Sequence, residues 1–245
     1  MKLFLTSSPC CPYPQKDGGI RYGYSRENGF LEELARGWEP DCQCLMICSD
    51  PDDFSRNDKM KEEFRGFFEI SGIPVSGLTM CDRRNQKDLG RLLEESRMVI
   101  LAGGHVPTQN KFFREIGLKA QISGFKGTVM GISAGTMNCA HTVYAQPELS
   151  GESTDPGYQR FLKGLGLTHL QILPHYQEVK DRLLDGRRLY EDITFEDSYG
   201  HTFYALVDGS YVLVQDGHQV LRGEGYRIRD GAVKRICVKD SQVEL

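Results

Sequence analysis

Along the first half of the chain, short apolar runs alternate with longer stretches whose apolar positions recur every three to four residues. Lys2–Thr6 reads as a strand, Asn28–Trp38 as a helix with Phe30, Leu31, Leu34 and Ala35 on one face, and Cys44–Cys48 as a second strand. Asn57–Ile70 carries Met60, Phe64, Phe67 and Phe68 at helical spacing, and Ser71-Gly72 with Pro74 close behind marks its stop. Pro74–Met80, Arg97–Ala102 and Gly127–Ile132 then read as strands, and Gln86–Ser96 and Lys111–Leu118 as helices. This alternation predicts an α/β fold, a mostly parallel sheet built by right-handed crossovers and covered by helices on both faces.

After about residue 190 the texture changes. Phe203–Val207, Tyr211–Val214 and Val233–Val238 are β-rich, and Asp208-Gly209, Asp216-Gly217 and Asp230-Gly231 punctuate them as hairpin turns. The expectation is a set of antiparallel strands extending one edge of the sheet. With no repeat, low-complexity tract or linker, residues 1–245 are expected to form a single domain.

Composition narrows the classes of partner. A hydrophobic share of 39% with 26% charged residues fits a soluble globular protein, and a net charge of −4 offers no footprint for nucleic acid. The apolar run at the start stops after three residues, too short for a signal-peptide core, and no later run is long enough to span a bilayer. The expected location is therefore the cytoplasm, with no membrane or nucleic-acid partner and a homodimer left open. Cys42, Cys44 and Cys48 would share one face of a strand, but no histidine or fourth cysteine stands near at zinc-site spacing. They read as buried thiols, as do Cys10 and Cys11 in a Pro-rich loop; no metal and no cofactor is expected.

Open α/β sheets hold their ligands beyond the carboxyl ends of the strands. Two such ends are marked by glycine: Ile100-Leu101-Ala102-Gly103-Gly104 and Val129-Met130-Gly131-Ile132-Ser133-Ala134-Gly135. In the second, G-x-S-x-G lies between an apolar strand and a helix, the context of a nucleophile elbow. A Ser133 that merely caps the helix is the bland alternative. A serine nucleophile needs a base, normally histidine. His175, in Leu170–Tyr176, ends an apolar run that would, as a parallel strand, bring it to the same rim. His169 would point to the opposite end, His201 and His218 stand in polar, turn-like contexts and are expected to be solvated, and His141 would sit on the helix two turns past Ser133. His105, just after Gly103-Gly104, remains a candidate substrate contact.

Gly131–Gly135, Gly103-Gly104, and Gly164-Leu165-Gly166-Leu167 leading into Pro174-His175-Tyr176 resemble the peptidase E (aspartyl dipeptidase) and cyanophycinase family of serine peptidases. The resemblance covers most of the chain and is most specific over residues 97–176. It implies a fold like the class I glutamine amidotransferases, with serine in place of the cysteine nucleophile, and cofactor-free hydrolysis of short peptides. Carried over, Ser133 is the nucleophile, His175 the general base, and the N–H groups of Gly104 and Ala134 the oxyanion hole. Two acids match family positions: Asp208, favoured as the partner of the histidine although Asp-Gly is also a plain hairpin turn, and Glu148, placed near the substrate amine. The Ser-then-His order differs from the Ser…Asp…His order of α/β-hydrolases, which Asp155 keeps open. The chain departs from the family in having His105-Val106-Pro107 where Asn-Thr commonly follows the paired glycines. Arg187 and Arg188 lie only near the arginine that reads an acidic first residue. An esterase or amidase using the same nucleophile, and a non-catalytic binding domain, are the alternatives.

Overall fold

A computed structural model describes residues 1–16, 18–39 and 41–245. The chain opens with strand β1 (Lys2–Thr6), then a hairpin of β2 (Cys10–Pro14) and β3 (Ile20–Tyr24) that places Cys10 and Cys11 in a strand, not in the expected loop. Helix α1 is confined to Phe30–Ala35. Gly29 before it is left-handed and the backbone becomes extended at Arg36, so the predicted helix over 28–38 loses both ends. Strand β4 (Gln43–Ile47) leads to α2 (Phe54–Ile70), which starts three residues before the periodicity suggested because Asp53 accepts a capping bond from the Arg56 N–H. Then come β5 (Gly77–Cys81), α3 (Leu89–Glu95) and β6 (Met98–Leu101). The expected helix over 111–118 is two helices, α4 (Val106–Glu115) and α5 (Leu118–Ile122). Pro107 is accommodated in the first turn of α4, where no N–H is needed. Strand β7 (Thr128–Ile132) runs into the short α6 (Ala134–Asn138), which ends before His141. That histidine is therefore not on the helix as expected, but exposed beyond it.

The second half holds the pair β8 (Thr142–Tyr144) and β9 (Phe161–Lys163), then β10 (Gln171–Leu173), α7 (Tyr176–Val179) and the small hairpin β11 (Leu183–Leu184) and β12 (Arg187–Arg188). It closes with β13 (Thr202–Leu206), β14 (Tyr211–Gln215), β15 (His218–Arg222), β16 (Gly225–Arg229), β17 (Ala232–Cys237) and β18 (Gln242–Glu244).

The central sheet runs β18-β15-β14-β1-β7-β6-β4-β5. From β1 to β5 every pairing is parallel, while β14, β15 and β18 add an antiparallel edge. The parallel strands are apolar almost throughout because helices cover both their faces: Leu3, Phe4, Leu45, Met46, Val99, Ile100, Val129 and Met130 are fully buried. Cys42, Cys44 and Cys48 are buried in this same core, and burial pushes all three thiols above their usual range, as expected for cysteines packing as small hydrophobes.

The C-terminal expectation needs correcting in part. Only β14, β15 and β18 extend the central sheet, whereas β13, β16 and β17 join β10 in a second sheet ordered β10-β13-β16-β17. Asp216-Gly217 and Asp230-Gly231 do turn hairpins, between β14 and β15 and between β16 and β17. Asp208-Gly209 instead carries the chain from one sheet to the other, since β13 and β14 belong to different sheets. Among the described residues no helix is long and apolar enough to cross a membrane.

Candidate active site

Pairing places three strand ends side by side. Leu101 of β6 stands opposite Gly131 of β7, and Ile132 stands opposite Thr6 of β1, so Gly103-Gly104, Ser133 and Ser7 emerge on one rim. Thr6 also pairs with Tyr211, the first residue of β14, which brings the preceding Asp208 loop to that rim. In the second sheet Leu173 lies beside Ala205 in a parallel pair, so the residues that follow, Pro174-His175 and Val207-Asp208, leave together toward Ser133.

Ser133 takes φ +51° and ψ −113°, outside the regions open to ordinary L-residues, at the sharp bend between β7 and α6. The flanking glycines make the bend sterically feasible. A Cβ on Gly131 would lie 2.7 Å from the backbone of Thr136, and one on Gly135 would lie 2.1 Å from the Leu101 carbonyl oxygen. Ser133 makes no side-chain cap of α6; its hydroxyl instead lies 2.9 Å from His175 Nε2. His175 is itself left-handed (φ +57°), and its Nδ1 lies 2.8 Å from Asp208 Oδ1. The network fits a proton on Nδ1, donated to the carboxylate, with Nε2 left to accept from the serine.

The carboxylate is held in turn. Ser7 donates to Asp208 Oδ1 at 2.6 Å and accepts from the His175 backbone N–H at 2.7 Å, while Gln177 donates to Asp208 Oδ2 at 2.7 Å. Burial by itself would lower the pKa of His175, but the hydrogen bond and charge of Asp208 outweigh it and leave the imidazole above its ordinary 6.5. Burial would raise Asp208, yet the bonds from His175, Ser7 and Gln177 hold it below the usual carboxylate range.

A small cleft of about 80 Å³ opens over this cluster, lined among others by Gly104, Ser133, Ala134, Glu148, His175 and Arg182. Gly104 has φ +154° and a Cβ there would lie 2.2 Å from Ser49 Oγ, so only glycine fits this turn beside the serine. Gly103 packs against Ser133, its missing Cβ position 3.5 Å from the Ser133 Cβ. Glu148 is exposed, with its N–H bonded to Glu152 Oε2 and its carbonyl accepting from Arg182 at 2.8 Å.

Other candidate residues lie outside this cluster. Both ring nitrogens of His105 are taken, by Thr108 at 2.8 Å and Glu152 at 2.7 Å, and the residue clasps the start of α4 to the loop bearing Glu148. Arg187 and Arg188 stand on the β11–β12 hairpin, where Asp192 and Glu196 engage them. Asp155 only closes a local turn, bonding the Gly157 N–H. His201 is not solvated as expected but stacks on Phe161 with ring centroids 4.2 Å apart, whereas His218 is exposed.

Nothing in the sequence marks Ser7, Gln177 or Arg182. No local pattern marks Ser7 or Gln177, since Ser7 meets Asp208 across 201 residues. Arg182 stands just beyond α7, ahead of the Arg187-Arg188 pair that the family resemblance points to. The one cluster of metal-type donors among the described residues is His175, Glu178 and Asp208, within 4.8 Å of one another. Two of its three members are already engaged with each other, so this arrangement suits proton transfer better than metal binding.

The sequence profile of peptidase family S51 matches residues 51–222. Among solved structures, a peptidase from an acI-B1 actinobacterium superposes with a TM-score of 0.61 at 16% identity, covering 100% of this chain and 96% of the other. A candidate peptidase E from Listeria monocytogenes EGD-e superposes with a TM-score of 0.57 at 15% identity, covering 96% of this chain and 98% of the other. At these identities the likeness speaks for the fold. A search of curated proteins gives no match.

Proposed function

The chain belongs to peptidase family S51, and on that premise we propose that this serine-type peptidase hydrolyses short peptides through an acyl-enzyme on Ser133. The observation that carries the reading is the unbroken line from Ser133 Oγ to His175 Nε2 at 2.9 Å and from His175 Nδ1 to Asp208 at 2.8 Å. As Ser133 attacks the scissile carbonyl carbon, its proton passes to His175 Nε2, and the imidazolium is stabilised by the ionised Asp208. The carbonyl oxygen becomes an oxyanion facing the N–H groups of Gly104 and Ala134; a donor of this kind is typically worth about 10²–10³ in rate. Collapse of the intermediate breaks the C–N bond, and His175 returns the proton to the leaving amine. Water then attacks the acyl-enzyme with His175 again as base, releasing the acid and restoring Ser133.

The cleft over Ser133 offers one carboxylate and one guanidinium in its lining, suited to the two charged ends of a short substrate. Glu148 is the carboxylate in the lining suited to a substrate ammonium group. Arg182 is the cation suited to a substrate carboxylate, whether an acidic side chain or the terminus of a dipeptide. A dipeptide library with acidic, basic and neutral first residues, run with parent and Ser133→Ala proteins, tests this. The expected result is hydrolysis that falls by about 10⁴–10⁶-fold in Ser133→Ala, together with loss of fluorophosphonate labelling. Labelling or hydrolysis that survives the substitution refutes the assignment.

A further inference from the structure

A second hollow lies away from the cleft over Ser133. It has a volume of about 710 Å³, is open to solvent on one side, and is lined by α4, α5 and the Lys163–Leu167 segment that begins at the end of β9. Its floor is apolar, with Phe113 and Leu165 buried and Leu167 half-buried. Three cations stand in the lining, Arg114 from α4, Lys119 from α5 and Lys163 from the facing segment, and no carboxylate does. All three are exposed, and none makes an ion pair among the described residues. Elsewhere on this acidic chain arginines are commonly paired, as in Arg83 with Asp52 and Glu115, or Arg84 with Asp58 and Asp82. Three unpaired cations converging on one apolar hollow from separate segments thus form a local positive field with no internal counter-charge.

The inner wall is held rigid by buried amides. Asn110, which is 3% exposed and lines the cavity, donates to Asn138 at 2.9 Å and to the Lys163 carbonyl at 3.1 Å. Asn138 donates to Gln109 at 3.0 Å, and Gln109 to the Ala102 carbonyl at 2.7 Å. This ladder ties α4, α6 and the cavity rim together, so the apolar wall is preformed.

We propose that this cavity binds a small organic anion with an apolar body, such as an aryl or acyl carboxylate, sulfonate or phosphate ester. The apolar part covers Phe113, Leu165 and Leu167, and the anionic group meets Arg114, Lys119 and Lys163. Binding here is independent of catalysis at Ser133. A fluorescence titration of the full chain with 8-anilinonaphthalene-1-sulfonate, one sulfonate on an aromatic body, tests it. Saturable binding at one site is expected, with Kd at least tenfold higher in a Lys119→Glu/Lys163→Glu variant of unchanged thermal midpoint. Ala120→Trp, which fills the cavity from α5, is expected to abolish binding. Absence of saturable binding to the parent overturns the proposal, as does equal affinity in the charge-reversed or the filled variant. Tight capture of an acidic peptide, with no binding of the small sulfonate, overturns it in favour of a protein partner.

Discussion

Replacing Ser7 by alanine removes the hydroxyl that joins His175 to Asp208. Ser7 is fully buried, and its one oxygen donates to Asp208 at 2.6 Å while accepting from the His175 backbone at 2.7 Å. A hydrogen bond to a charged group contributes about 1.5–3 kcal/mol, and a buried N–H left without a partner costs about 1–3 kcal/mol. The second loss falls on a residue already held in a left-handed conformation, φ +57°, a strain that costs about 1–3 kcal/mol and persists only while its surroundings hold it. Gln177 still donates to the other carboxylate oxygen at 2.7 Å, so Asp208 keeps one tether and its pairing with His175 loosens without collapsing. If the charged-bond contribution of about 1.5–3 kcal/mol is expressed in the transition state, kcat/KM falls about 10- to 150-fold. The loss should lie mainly in kcat, because Ser7 is not in the cleft lining. Steady-state kinetics on the best dipeptide, beside thermal unfolding of the same protein, checks this. A Ser7→Ala enzyme within twofold of its parent in kcat/KM, with an unchanged midpoint, would refute the positioning role.

Further consequences can be measured. His175 must be neutral to accept the serine proton and its pKa lies above 6.5, so kcat/KM should climb with pH along a limb centred above 6.5. Asp208→Asn removes the charge that raises it and should move that limb down while slowing the reaction; a pH–rate profile with no downward shift contradicts the assignment. Gly135→Ala puts a Cβ 2.1 Å from the Leu101 carbonyl, where only backbone movement relieves the clash. It should cost near the top of the usual range of about 1–3 kcal/mol for overpacking and lower Tm by about 5–10 °C, together with activity. Glu152→Ala frees the N–H groups of Glu148 and Leu149 and the ring of His105 in one step. Its expected signature is a raised KM with kcat changed less, and an unchanged KM would detach that loop from substrate binding.

Local chemistry was legible where one segment contains its own reason. The alternation of apolar strands and amphipathic helices foretold the parallel sheet because burial on both faces demands continuous apolar strands. Gly131-Ile132-Ser133-Ala134-Gly135 foretold the sharp bend, since its close backbone approaches lie within a few residues or against the neighbouring parallel strand. Periodicity misled at ends and breaks. Gly29 cut α1 short, a tolerated Pro107 advanced α4, and α6 stopped before His141. None of these limits depends on the apolar spacing that suggested the helices.

The partners of Ser133 were decided by tertiary structure. His175 stands out in sequence as the end of an apolar run, yet that run belongs to the second sheet, and it reaches Ser133 only because β10 and β13 lie parallel and feed the same rim. For Asp208 the family resemblance favours pairing with the histidine while the local pattern reads equally as a hairpin corner; passage of the chain between two sheets turns that corner toward His175. Ser7, Gln177 and Arg182 carried no signal at all, since a buried hydroxyl, a surface amide and an exposed guanidinium are unremarkable in sequence. The residues fix locally which bend can hold a nucleophile. Which groups face it depends on strand order and register, which arise from contacts between residues as far apart in the chain as Leu3 and Val214 that no local pattern encodes.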